Sequence, residues 1–128
     1  MWKDELPKNC PPKKAFEKET EVYRILSEET PSVEDFRNYC YLNPENERYK
    51  ELCKAYALSF FNSKENALNA IQRSSNLQGK FIGEYKLNKS HGVCELNSRN
   101  GHYSVWFYDS WKFEDFSPTQ VIKIDGDR

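Results

Sequence analysis

At 128 residues and 15.2 kDa the chain is sized for one domain with one core. Charged residues make up 30% and the mean hydropathy is -0.92, but eight Phe, eight Tyr and three Trp supply the apolar area that a disordered chain lacks. Nineteen basic residues interleaved with twenty acidic ones argue against the broad positive field of a nucleic-acid binder, and no apolar run approaches the ~20 residues of a membrane span.

Residues 1–18 carry three prolines and five lysines, which predicts an irregular Pro/Lys-rich arm from which Trp2, Leu6 and Phe16 dock on the body. Residues 19–128 are expected to form a single α+β domain. Its first strand is Glu21 to Leu26, ended by Thr30-Pro31. Ser32 then opens a helix with Val33, Phe36, Tyr39 and Cys40 on one face. Asn43-Pro44 breaks it, and a second helix runs from Glu47 to about Cys53 with Tyr49, Leu52 and Cys53 inward. Ala55 to Phe61 reads as a buried strand, and Asn62-Ser63-Lys64-Glu65 caps a helix with Ala67, Leu68, Ala70 and Ile71 inward, ending near residues 74–76.

From Lys80 the pattern is β throughout: Lys80 to Leu87, Val93 to Leu96, His102 to Tyr108 and Thr119 to Ile124. Asn100-Gly101 predicts a type I′ hairpin, which places His102 opposite Arg99 and Cys94 opposite Phe107. The short connections predict a C-terminal β-meander, so the expected fold is two or three helices packed on a largely antiparallel sheet.

The N-terminus lacks the apolar stretch of a secretion signal, and the cysteines at 10, 40, 53 and 94 never form a Cys-x-x-Cys pair. The expectation is a cytoplasmic protein with free thiols, Cys53 and Cys94 being small core residues. His91, His102 and the cysteines lack zinc spacing, so no metal site is expected. Because Cys94 and His102 would not face each other, a cysteine nucleophile is disfavoured.

Arg24, Ser59 and His102 stand apart because each lies in or at the edge of an apolar strand, where a polar side chain needs a partner or a ligand. Alternation puts Arg24 on the face of Val22, away from Tyr23 and Ile25. Such an arginine is either an edge charge or a guanidinium held in a cleft, where its fork suits phosphate or carboxylate. Tyr56 and Phe60 are placed to stack on a flat ring beside Ser59. Each polar residue alone also has the plain reading of a satisfied structural hydrogen bond.

A Tyr-Arg pair on the opening strand, a short apolar strand holding Ser59, and then at once an Asn-Ser-x-Glu-Asn-Ala helix start resemble the small bacterial ADP-ribosyltransferase-like domains, including RES-type toxins, over roughly residues 21–73. The resemblance implies a toxin or defence function with NAD as the ligand. Arg24 would hold NAD and Ser59 would brace its nicotinamide ribose. It also implies a catalytic glutamate on a later strand, for which Glu84, Glu95 and Glu114 are the candidates without a motif to choose among them. The alternative is a non-catalytic interaction module, in which Trp106, Trp111, Phe113 and Phe116 form an aromatic surface for a protein partner.

Overall fold

Among the described residues, runs of β-branched and aromatic residues form six strands, β1 (Thr20–Leu26), β2 (Leu58–Phe61), β3 (Phe81–Leu87), β4 (Gly92–Asn97), β5 (His102–Phe107) and β6 (Gln120–Lys123). The structure is a computed structural model and describes residues 1–73 and 81–124. The strands make one sheet in the order β4-β5-β2-β1-β3-β6, antiparallel at every pairing. Among the described residues three α-helices accompany it, α1 (Tyr39–Leu42), α2 (Glu47–Glu51) and α3 (Lys64–Arg73), so the fold is α+β. None of the helices among the described residues is long and apolar enough to cross a membrane.

Residues directly opposite in an antiparallel ladder share a face, so the register sorts the side chains. Val22, Tyr85, Leu87, Phe60, Leu58, Tyr103, Val105, Phe107 and Cys94 share one face and build the larger core, closed from above by Phe36 and Phe116. Phe36 touches Phe60 and Tyr85, and Phe116 stacks on Tyr85 at 4.7 Å. The other face carries Tyr23, Ile25, Phe61 and Ile82 beneath Ala67 and Ala70 of α3. Small residues there let the helix approach closely, and the Ser63 hydroxyl caps it by accepting from the Asn66 N–H at 3.0 Å. Its expected end near residues 74–76 and the expected strand start at Lys80 lie outside the described residues.

Four expectations are corrected. The continuous helix after Ser32 is instead a 3-10 turn (Val33–Phe36) followed by α1, with Phe36 buried but Val33 and Tyr39 exposed. Arg37 between them is extended, which breaks the helical stripe. The segment Cys53–Tyr56 is a 3-10 turn rather than the start of β2, and Leu52 beside it is exposed. The C-terminal meander is only partly formed: β4 and β5 make a hairpin, but β3 lies across the sheet between β1 and β6. Within that hairpin His102 pairs with Asn97 and Cys94 with Val105, two residues from the expected register, because the loop is four residues long. Of the Asn100-Gly101 pair, only Gly101 has positive φ (+73°), so the turn is not type I′. A Cβ at Gly101 would also stand 2.2 Å from the Asn62 side-chain oxygen, so glycine is needed twice over.

The fourth correction concerns the thiols. Cys10 and Cys53 are joined as a disulfide with their Cα atoms 5.4 Å apart, leaving Cys40 and Cys94 free. The bridge closes 43 residues and fixes the N-terminal arm, which is further held by Lys3 N–H to the Phe107 carbonyl and by Phe16 paired with Cys94. Disulfides persist where the surroundings are oxidising, so this pair gives no support to a reducing cytosol. Replacing Cys10 and Cys53 by Ser is expected to lower the unfolding free energy by about 2–4 kcal/mol. Urea melts of the variant against the oxidised protein check it, with an unchanged midpoint counting against the bridge.

Candidate functional site

The sheet has a weak seam. β1 and β2 share a single registered pair, Tyr23 with Phe61, whereas β1 and β3 pair along their whole length. Beyond Tyr23 the strands part, and Arg24 takes over the bonding. Its Nη1 donates to the Ser59 main-chain carbonyl at 2.5 Å, and its Nε and Nη2 donate to the Asp35 carbonyl at 3.1 and 2.5 Å. The guanidinium lies over the rings of Phe36 and Phe60, at 5.0 and 5.4 Å. No carboxylate pairs with it among the described residues. The Asp35 carboxylate instead accepts from the Ser32 N–H and the Ser27 hydroxyl. Burial of this charge lowers the Arg24 pKa to about 10.

Ser59 and His102 are diagonal neighbours on the opposite face, since Ser59 pairs with Ser104 and His102 with Phe61. Their side chains meet, Ser59 Oγ standing 2.9 Å from His102 Nε2. The imidazole packs edge-on against the Phe61 ring, centroids 5.4 Å apart. Burial, with a smaller contribution from nearby Lys54, pushes its pKa below the ordinary histidine value, so the ring is neutral at pH 7.

Where the strands part there is a cavity of about 350 Å³, at the small end of ligand pockets. Arg24, Ser59 and His102 all line it. The three polar residues singled out by the sequence therefore converge, but Arg24 and the Ser59 hydroxyl leave the sheet on opposite faces and meet only through the Ser59 carbonyl. Tyr39, Phe61, Ile25 and Leu42 supply apolar wall, and Glu34 and Arg37 form an exposed ion pair at 3.3 Å on the rim. Arg37 Nε is buried without an acceptor. Asn38, also in the lining, is buried and tied to Asp4 of the arm and to the Tyr56 carbonyl.

The remaining sequence candidates lie elsewhere. Phe60 is fully buried in the core on the Arg24 side, and Tyr56 spends its hydroxyl on the Lys50 carbonyl outside the cavity. Neither lines the cavity; the aromatic residues that do are Tyr39 and Phe61. Glu84 is bound by the Tyr23 and Thr119 hydroxyls at 2.9 and 2.7 Å, which together hold its carboxyl below the usual range. Glu95 shares the Ser59 face two strands away, about 10 Å by strand spacing. It is committed to Lys14 at 3.3 Å and Lys54 at 3.7 Å. Glu114 is exposed on a 3-10 turn near Phe116. None of the three lines the cavity. Trp106 and Phe116 are buried, and Trp111 and Phe113 pack on the core, Trp111 stacking on Phe107 at 4.3 Å. Trp106 and Phe116 therefore have little surface to offer a partner, while Trp111 and Phe113 remain half-buried against the core.

Tyr39, Leu42 and Arg37 escaped the sequence reading because the expected helix turned Tyr39 inward. No family model, curated protein or solved structure matches the chain.

Arg24→Met removes donors from two carbonyls and should cost about 1–3 kcal/mol, read as a lowered urea midpoint at unchanged m-value. A second prediction concerns pH. His91 and His102 both have folded pKa values depressed by burial. Their contribution is complete above the unfolded value of about 6.5 and fades as pH falls through the folded values, because the unfolded chain takes up protons first. The melting temperature should therefore drop between pH 7.5 and 5.5, and less so in the His91→Gln/His102→Gln variant.

Proposed function

We propose that this chain is a small-molecule-binding domain whose cavity takes a nucleotide-type ligand, NAD being the one that the resemblance to ADP-ribosyltransferase-like domains implies. The observation that carries the reading is the Arg24 guanidinium, a buried charge on the wall of the cavity with no carboxylate partner among the described residues. Buried cations without a counter-ion are costly, and an oxyanion docking at that corner relieves the cost. The unpartnered Arg37 Nε supports the same reading. Two arginines and two acids line the cavity, so the anionic end sits at the Arg24 corner and a flat ring lies against Tyr39 and Phe61.

The reading stops at binding. Glycosidic cleavage needs a carboxylate at the ligand, and the acid on the rim, Glu34, is tied to Arg37.

A melting screen with NAD, ADP-ribose, nicotinamide mononucleotide and AMP tests the reading. A ligand at a hundred times its Kd stabilises by about 2.7 kcal/mol, roughly 8–10 °C for a domain of this size. The shift should shrink in Arg37→Gln and Ser59→Ala. A flat response to all four ligands would sink the reading.

A further inference from the structure

The Ser59–His102 contact is more than the binding reading requires. A serine hydroxyl that only braces a ligand needs no base, whereas here Oγ stands 2.9 Å from an imidazole nitrogen. The two residues are placed by adjacent strands of the same sheet, whose register fixes them as diagonal neighbours. Arg24 anchors the Ser59 carbonyl from the far side of the seam, and the Phe61 ring holds the imidazole edge-on. Both polar groups line a cavity open to ligand. Buried and neutral, the imidazole carries a lone pair at neutral pH; with its proton on Nδ1, Nε2 accepts from the serine hydroxyl.

We propose that Ser59 is an acyl-accepting nucleophile, with His102 as its general base, acting on small esters whose acyl portion lies against Ile25, Leu42 and Phe61. Ser59 Oγ attacks the ester carbonyl carbon while His102 Nε2 takes the hydroxyl proton. The carbon–alkoxy bond then breaks, and His102 returns that proton to the departing alkoxide, leaving an acyl-serine. Water repeats the sequence, its proton passing to His102 and on to Ser59, so one ester and one water give one acid and one alcohol. Arg37, whose Nε is buried without an acceptor among the described residues, lies in the same lining and supplies a free donor for the developing oxyanion. The imidazole is held by an aromatic edge rather than a carboxylate, so turnover is expected to be slow compared with a full triad.

The inference does not depend on the nucleotide reading, and the two can fail separately. The oxidised 128-residue chain is treated with a fluorophosphonate probe and mapped by peptide mass spectrometry. One adduct on Ser59 is expected, with fluoride released. Its formation rate should fall about 10²-fold in His102→Gln. In the wild-type protein the rate should decline with acid along a single titration below pH 6.5. p-Nitrophenyl acetate should give a burst of nitrophenol that Ser59→Ala abolishes. No adduct on the folded wild-type protein, an adduct at a different residue, or an equal rate in a folded His102→Gln variant would overturn the proposal, whatever the melting screen returns.

Discussion

The architecture turns on a guanidinium that does the work of a missing ladder. One half of the sheet is β4, β5 and β2, the other is β1, β3 and β6, and a single registered pair joins them. Arg24 spans the rest of the join by donating to the Ser59 carbonyl on β2 and to the Asp35 carbonyl on the overlying turn. Three charge-assisted hydrogen bonds and two aromatic faces solvate a charge that no carboxylate among the described residues neutralises. A lysine could not replace it, because only a planar fork reaches two carbonyls at fixed angles. The position therefore selects arginine for shape as much as for charge.

The same gap that makes Arg24 necessary leaves the cavity. Regular pairing along β1 and β2 would have closed the space with main-chain hydrogen bonds. Because the strands part, the segment from Glu34 to Leu42 crosses their ends and walls a hollow reaching both faces of the sheet. The core remains intact nearby because Phe36, Phe60, Tyr85 and Phe116 pack as interlocking edge-to-face and stacked rings. Each such pair adds about 0.5–1.5 kcal/mol beyond area burial. Rigid aromatic packing on one face thus supports an open polar site across the seam.

The N-terminal arm belongs to this arrangement. Its Asp4 binds Asn38 in the cavity wall, its Cys10 holds Cys53, and the Cys53 carbonyl accepts from the buried Trp106 indole at 3.1 Å. The arm thereby fixes the turn that leads into β2 and Ser59. A segment with almost no regular structure is held by a covalent bond and scattered polar contacts.

Strand alternation made much of the local order legible in the sequence. It placed Val22 and Arg24 on one face of β1 and Tyr23 and Ile25 on the other. It also marked Arg24, Ser59 and His102 as polar residues in apolar surroundings, and these do meet at one cavity. Their partners depended on contacts distant in sequence: Cys10 with Cys53, Asp35 with Arg24, and β3 inserted between β1 and β6 rather than beside β4. Period-two patterning reports which way a side chain points from its own strand, but it is silent about which strand lies next to it. That choice is made by packing over the whole chain, and it buried Trp106 and Phe116, brought Tyr39 to the cavity and kept Glu84, Glu95 and Glu114 away from it.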